Sequence, residues 1–364
     1  MTIFFRYLCY RMKDSALRTI VISAISFFYA TTFVDSSIHI YGDNQYARFS
    51  TVFLVFYLIV LVFTIPILEL SRFKNRRNLD TLYFFPLSRT KLALVHFISG
   101  FLQFIIAFTF AFSVIALRIF QTPLLHSIFI IPFYFAILLA CFMVYTVICY
   151  LFSTENIVFD GVSTVLLWTL TPLLPFLFLE TIGISIEPEN FYLCLLYAPI
   201  IFVNQIFAIL LRSGFDHADQ ILSFIADDWY MILLWVLLAG PVFFLYLRVF
   251  QKKGAEQAGT PSTSPVGLQF LIPAWGYIGF SAILDSLSAI GIFMITLSIF
   301  VGYFVLRKSF KLKPKDFACI GIIILAAVLS MVIRPYVKNL FEKPQSVNPP
   351  TAQVQMVDSE IEIS

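Results

Sequence analysis

Long, uninterrupted apolar runs are the feature of this sequence that most limits what it can fold into. A bilayer core about 30 Å thick is crossed by about 20 helical residues, each adding about 1.5 Å. Nine segments have roughly this length and no charged residue at the middle: 19–35, 52–70, 92–117, 127–152, 162–180, 229–250, 266–284, 286–306 and 317–334. Because the runs are continuous and do not alternate, they predict transmembrane helices and not barrel strands.

Composition excludes several other classes of protein. Hydrophobic residues make up 60% of the chain and charged residues 12%, whereas soluble domains carry about 25% charge. A single water-soluble core and a disordered chain are therefore excluded. The net charge of +3 is too small to indicate nucleic acid as a partner. The five Cys and four His show no metal-ligand spacing, so we expect neither a disulfide framework nor a metal site.

The distribution of basic residues predicts the orientation. With nine spans and a cytoplasmic N-terminus, 18 of the 24 Lys and Arg residues fall on the inner side, as the positive-inside rule requires. If a tenth apolar run at 191–211 also crossed the membrane, the split would be 14 to 10. We therefore expect an all-α polytopic membrane protein with nine transmembrane helices and an outer re-entrant hairpin at 191–211.

The same pattern divides the chain into blocks. Residues 1–18 read equally well as an amphipathic leader on the membrane surface or as an ordinary basic leader. A stretch rich in Gly, Pro, Ser and Thr then separates six front spans from three rear spans. The predicted blocks after the leader are a six-span core at 19–250, a cytoplasmic linker at 251–265, a three-span rear block at 266–334 and a polar extracytoplasmic tail at 335–364.

Catalytic and nucleotide-binding motifs are missing from the sequence. There is no GxxxxGK[ST], no GxSxG and no pair of carboxylates at a catalytic spacing. We expect the acidic residues at span ends to be interfacial anchors that keep their charge in water: Glu69, Asp160, Glu180 and Asp285. A chain without ionisable groups near the bilayer midplane lacks the usual means of ion coupling. We therefore predict a protein that is not an enzyme, holds no cofactor and draws energy from a partner ATPase.

The segment 76–89 on the predicted inner face carries the most information about partners. Leu79, Leu82 and Tyr83 share one face of a short helix, and Pro86 disfavours the helical conformation at the residue before it. The segment is either a docking helix whose apolar ridge enters a groove on a partner, or a basic loop resting on lipid headgroups. The residues alone leave both interpretations open.

A family resemblance distinguishes the two interpretations. The run RNLDTLYFFPLSR at 77–89 resembles the KR-x-x-D-x-x-x-S-L-P-I-x-R pattern that follows the second span of ABC-2 type permeases. The closest branch is the one found beside acetoin-utilisation and peptide-antibiotic resistance ATPases. KKGAEQAG at 252–259 is similar to that branch's KR-x-x-E-x-A-G, and LRKSFK at 306–311 resembles its KKSF turn. The chain departs from the pattern at Phe84 and Phe85, where Ser-Leu is usual.

The resemblance implies a permease subunit of an ATP-driven transporter in the bacterial cytoplasmic membrane. It implies an ABC ATPase that binds the ATP, a second permease of the same or a different chain, and export of a peptide, lipid-like or drug-like substrate. The alternatives are a secondary transporter or channel, and a sensor or assembly protein that moves nothing. Residues that the resemblance assigns to coupling and ATPase docking are Arg76, Arg77, Asp80, Leu82, Tyr83, Pro86, Arg89, Glu256 and Gly259.

Overall fold

The structure is a computed structural model in which helices account for most of the chain. It describes residues 3–33, 36–41, 44–49, 52–75, 86–121, 127–184, 196–213, 235, 237–260, 264, 266–284, 289–309 and 311–341. The helices of the first half are α1 (Ile3–Asp14), α2 (Ala16–Phe33), α3 (Val52–Leu70), α4 (Arg89–Gln121), α5 (Ile130–Thr154), α6 (Val158–Leu170) and α7 (Leu174–Thr181). Those of the second half are α8 (Ala198–Ser213), α9 (237–252), α10 (Leu268–Leu284), α11 (Ala289–Arg307) and α12 (Pro314–Phe341).

The described helices make this chain a helical, multi-pass membrane protein. Seven helical stretches, one of which runs from α6 through α7, are long and apolar enough to cross a bilayer, and 198–210 and 268–284 are shorter apolar helices. The predicted helical membrane class is confirmed at this level, while the count of nine spans stays a prediction. The predicted hairpin at 191–211 is described only from Leu196, where a turn leads into α8.

A two-stranded hairpin between α2 and α3 is the main departure from the predicted all-helical chain. Strand β1 (Ser36–Tyr41) pairs antiparallel with β2 (Asn44–Phe49), with Ser36 opposite Phe49 and Tyr41 opposite Asn44. The cause is visible in the sequence, because SSIHIY and NQYARF mix polar with β-branched and aromatic residues, as strands do. A prediction based on apolar runs long enough to span the membrane does not detect such short strands.

The front block packs around α4, whose aromatic residues recur at helical spacing. Phe97, Phe104, Phe108 and Phe112 are buried along one stripe of this helix. The rings of Phe104 and Phe108 stack with their centroids 6.0 Å apart, within the range in which aromatic pairs attract one another. The same core includes residues from α3, α5, α8 and α9, so α4 is the central helix of the front block.

The rear block has its own core and close helix packing. Buried residues of α10, α11 and α12 form a cluster separate from the front core. A Cβ added at Gly276 would lie 3.1 Å from Ile299, and one at Gly302 would lie 3.3 Å from Ile272. Glycine at both positions therefore lets α10 and α11 approach closely, as small residues do between membrane helices.

The rear block is joined to the front block along α6. The Trp168 indole Nε1 donates a hydrogen bond to the Val266 carbonyl at 2.8 Å. The Lys308 ammonium lies 3.4 Å from a carboxylate oxygen of Asp160. Asp160 is 1% exposed, which corrects the expectation that this residue keeps its charge in water. Its environment is protein because α6 lies between the two blocks.

Candidate functional site

Two predicted docking segments meet on one face of the structure. Arg89, the first residue of α4, donates a hydrogen bond from Nη1 to the Lys253 carbonyl at 2.7 Å. One residue further along, Thr90 accepts a hydrogen bond from Gln251 Nε2 at 3.1 Å. The start of α4 is therefore fixed to the end of α9, although more than 160 residues separate them in sequence. We call the contact of 71–75, 86–90, 152–157 and 250–260 the junction.

Lys74 fixes a third helix end to the junction. Its ammonium donates hydrogen bonds to the carbonyls of Phe152 at 2.6 Å and Glu155 at 2.9 Å. It also lies 3.9 Å from the centre of the Phe152 ring, within the range of a cation–π interaction. The last carbonyls of α5 have no partner within their own helix, so a cation at this end is stabilising. The turn that precedes segment 76–85 is thereby held against α5.

Lys253 reinforces the same contact from the end of α9. Its ammonium donates a hydrogen bond to the Glu155 carbonyl at 2.7 Å. Burial lowers the pKa of Lys253 to about 8, and the Glu155 carboxylate offsets part of that effect. Glu155 is itself 2% exposed. The junction therefore brings two lysines and one buried carboxylate to the loop between α5 and α6.

Gly259 and Glu256, two of the predicted docking residues, lie in the segment that follows α9. Gly259 has a φ of 77°, a left-handed conformation that glycine adopts without a steric cost. Its backbone N–H donates a hydrogen bond to the Asn156 carbonyl at 3.1 Å. The Glu256 side chain is exposed in a single 3₁₀ turn, Ala255–Gln257. Gly259 therefore shapes the junction, while Glu256 faces outward beside it.

The remaining predicted docking residues divide between the described and undescribed parts of the chain. Pro86 and Arg89 are exposed, and Pro86 precedes α4 by three residues. Next to them, Leu87 packs against a buried cluster of Tyr7, Leu92 and Val95. Arg76, Arg77, Asp80, Leu82 and Tyr83 lie outside the described residues.

A buried ion network adjoins the junction and was missed by the sequence analysis. Glu69, the penultimate residue of α3, is 0% exposed. One carboxylate oxygen accepts hydrogen bonds from Arg11 Nε at 2.7 Å and His96 Nδ1 at 3.0 Å. The other accepts one from the Arg18 guanidinium and one from Gln103 Nε2 at 3.4 Å. We call these five residues the Glu69 network.

The Glu69 network connects four helices at one end of the bundle. Arg11 comes from α1, Arg18 from α2, Glu69 from α3, and His96 and Gln103 from α4. A buried carboxylate is expensive unless it is paired and hydrogen-bonded, and here its partners supply both. The expectation that Glu69 keeps its charge in water was wrong because α1 folds back over the end of α3. The signal available in the sequence was a lone acidic residue between two leucines at the end of an apolar run.

The network and the junction together hold the described residues on either side of segment 76–85. Before the segment, the turn Ser71–Lys74 continues directly from α3, with Glu69 on one side and the Lys74 contact with α5 on the other. After it, Leu87 packs on the Tyr7 cluster and Arg89 binds the end of α9. The described residues on either side of 76–85 are therefore joined to α1, α3, α4, α5 and α9.

Comparisons with known proteins leave the chain without an assigned family. No protein-family model matches it, and neither the curated proteins nor the solved structures contain a significant match. Among the described residues, no group of three or more His, Cys, Asp or Glu side chains is placed to hold a metal ion.

Proposed function

We propose that this chain is the membrane-spanning permease subunit of an ATP-driven transporter of the ABC-2 type. The observation that carries the proposal is that the described residues on both sides of segment 76–85 are fixed to other helix ends. Lys74 binds the end of α5 before the segment, and Arg89 binds the end of α9 after it. Flanking residues fixed in this way would pass a push on the segment between them to several helices.

The proposed mechanism assigns the energy to a separate ATPase subunit. Closure of the ATPase dimer would press on segment 76–85, and the junction and the Glu69 network would move the attached helix ends together. Rigid-body rocking of packed helices is a common form of such transitions. The chain would thus alternate between inward-open and outward-open states without binding ATP itself. A second permease, of the same or a different chain, would complete the pathway for a peptide, lipid-like or drug-like substrate.

The proposal places the junction on the cytoplasmic side of the bacterial cytoplasmic membrane. This placement follows from the 18 basic residues that the predicted inner segments carry. Lys74, Arg89 and Lys253 all belong to that set and all lie in the junction. An ATPase in the cytoplasm would reach the segment on this side.

A secondary transporter is the second candidate, and the buried Glu69 favours it. Buried carboxylates and histidines inside membrane proteins commonly serve proton or ion coupling. Glu69 nevertheless lies at the end of α3 and is already bonded to two guanidinium groups. That arrangement fits a structural ion network better than a site that must load and release an ion.

The deciding experiment compares two charge reversals in vesicles that contain the chain and the ATPase encoded nearest to it. Arg89→Glu removes the anchor at the start of α4, whereas Lys311→Glu reverses an exposed charge in the turn between α11 and α12. We expect deletion of 76–85 to abolish stimulation of ATP hydrolysis, and Arg89→Glu to have the same effect in a weaker form. Lys311→Glu should leave the stimulation intact.

Two results would count against the proposal. Full stimulation by the 76–85 deletion variant would remove the proposed point of coupling. Substrate uptake by vesicles that contain this chain alone, driven by an ion gradient and indifferent to nucleotide, would establish the secondary transporter instead.

A further inference from the structure

A chain of hydroxyl groups crosses the contact between α7, α10 and α12. Thr181 Oγ1 lies 3.0 Å from the Tyr277 hydroxyl, which lies 2.5 Å from Ser330 Oγ. Thr181 also bonds the Phe178 carbonyl at 2.7 Å, and Ser330 bonds the Ala326 carbonyl at 2.9 Å. This layer satisfies its own polar groups, as helices within a membrane require.

The next hydroxyl on α10, one helical turn further along, is different. Ser281 follows Tyr277 by four residues and Arg334 follows Ser330 by four, so each lies on the same face as its predecessor. Ser281 is 8% exposed, and its buried Oγ has no hydrogen-bond partner among the described residues. Buried hydroxyls are nearly always bonded, so this one points to a ligand.

Ser281 and Arg334 open onto a cavity of about 240 Å³ between the three helices. Glu180, which is exposed, lies at its rim, and Leu177 and Met331 are among the apolar residues of its wall. Pockets for drug-sized ligands are about 300–1,000 Å³, so this cavity fits a headgroup better than an entire amphiphile. Met331 is 42% exposed, which leaves a way in from the surface of α12.

We propose that this cavity binds the phosphoethanolamine headgroup of a phospholipid. The phosphate would accept hydrogen bonds from the Arg334 guanidinium and the Ser281 hydroxyl, the strong charge-assisted pairing of arginine with phosphate. The ammonium group would face the Glu180 carboxylate, and the first carbons of the acyl chains would lie on the apolar wall. The site opens among apolar helices of a membrane protein, so the lipid bilayer is the source of the occupant. This inference is independent of the proposed transport function.

The test measures lipid retention by the purified full chain in detergent, using native mass spectrometry. The probes are phosphatidylethanolamine, phosphatidylglycerol and phosphatidylcholine with identical acyl chains. We expect the ethanolamine lipid to be retained most. Arg334→Gln should lower its retention about tenfold, the loss expected for one charge-assisted hydrogen bond, and Ser281→Ala should lower it less. The matched controls are Arg118→Gln, on the last turn of α4, and Ser298→Ala, whose hydroxyl bonds the Met294 carbonyl on α11.

Glu180→Gln tests recognition of the ammonium group separately from recognition of the phosphate group. This variant should lose the preference for ethanolamine over glycerol lipid while retaining phospholipid as such. If Arg334→Gln does not fold, Arg334→Lys takes its place, because it keeps the positive charge in the cavity while changing the phosphate contact. Glu180→Gln then provides a second comparison in which Arg334 itself is unchanged.

Three outcomes would overturn the inference. The first is equal retention of the three lipids by the wild-type chain. The second is indistinguishable behaviour of Arg334→Gln and Arg118→Gln. The third is displacement of the bound lipid by soluble O-phosphoethanolamine at the same concentration as a short-chain lipid, which would make the occupant a free zwitterion.

Discussion

The front and rear blocks both bury a carboxylate at a helix end, but they pair it in different ways. In the front block, Glu69 takes its partners from three other helices, with Arg11 and Arg18 lying 58 and 51 residues away. In the rear block, Asp316 pairs with Arg307 only nine residues away, at 2.6 Å and 3.1 Å. It also accepts a bond from the Lys313 backbone N–H at 2.9 Å.

The difference lies in what each pair determines. The Arg307–Asp316 pair closes the turn between α11 and α12, so it acts on local structure. The Glu69 network fixes the positions of α1, α2, α3 and α4 relative to one another, so it acts on tertiary structure. Exposure follows the same order, since Arg307 is 26% exposed whereas Arg11 is 2% exposed. Removal of a carboxylate should therefore cost more in the front block than in the rear block.

The largest effect is expected from Glu69→Gln. The substitution keeps the shape of the side chain, but it leaves the partly buried Arg18 guanidinium without its carboxylate partner and the buried Arg11 guanidinium with only Asp14. Breaking a buried ion pair from one side costs about 3–5 kcal/mol. Thermal unfolding of the purified chain in detergent should show a large drop in melting temperature, and Glu256→Gln, on an exposed carboxylate, supplies the control. Equal melting of the two variants would contradict the assigned role of the network.

Arg11→Met should have a smaller and more local effect. Glu69 keeps Arg18, His96 and Gln103 as partners, so α3 and α4 stay joined while α1 keeps only the exposed Asp14–Arg72 ion pair. Hydrogen–deuterium exchange should rise across 3–14 and change little in α4, at an overall cost of about 2 kcal/mol, within the range for losing one hydrogen-bonded charged group. Arg6→Met, at an exposed position of the same helix, is the matched control. Protection of α1 equal to that in the control would mean that its apolar contacts and the Asp14–Arg72 pair hold it without Arg11.

The sequence was sufficient to predict most helices but not the contacts among them. The apolar run beginning at Leu92 predicted α4, and Pro86 predicted a break before it; the helix begins at Arg89 because the first turn needs no apolar residue. The Glu69 network could not be predicted in the same way. Nothing local to Arg11 shows that α1 folds back, because hydropathy reports the lengths of helices and not the directions in which they turn.

The junction includes two residues that the family resemblance had singled out, although their role in docking stays a prediction. The resemblance assigned Arg89 and Gly259 to one function, and the structure brings their segments together at the Lys253 carbonyl and the Asn156 carbonyl. The contact of Lys74 with α5 was not predicted, because basic residues commonly follow the inner-face end of a span. Only the fold shows that its ammonium binds the end of α5 and not water. Whether the exposed Glu256 contacts an ATPase stays a prediction.

In the rear block, Asp316→Asn should cost about 1–2 kcal/mol. The amide keeps the size of the side chain, the Arg307 guanidinium remains partly hydrated, and exposed or half-exposed ion pairs contribute about 1 kcal/mol or less. The backbone bond from Lys313 adds a capping contribution of about 1 kcal/mol. The melting temperature should fall by clearly less than for Glu69→Gln under the same conditions. A drop as large as that for Glu69→Gln would erase the distinction between the two blocks.

The smallest expected effect is the pH dependence of stability that arises from the Lys253 ammonium. This ammonium bonds a backbone carbonyl, whereas Arg307 bonds a carboxylate. Because burial lowers the pKa of Lys253 to about 8 from 10.5, the folded chain releases this proton before the unfolded chain does. Between these two values the unfolded state binds more protons, so the free energy of unfolding rises with pH, by about 1 kcal/mol from pH 8 to pH 9. Below pH 8 both states carry the proton and the contribution levels off.

Thermal unfolding of the wild type and Lys253→Met across this range isolates the effect, because every other titrating group is common to both. The wild type should gain stability relative to Lys253→Met as the pH rises; curves that stay parallel would mean that the junction holds this lysine in a well-hydrated environment.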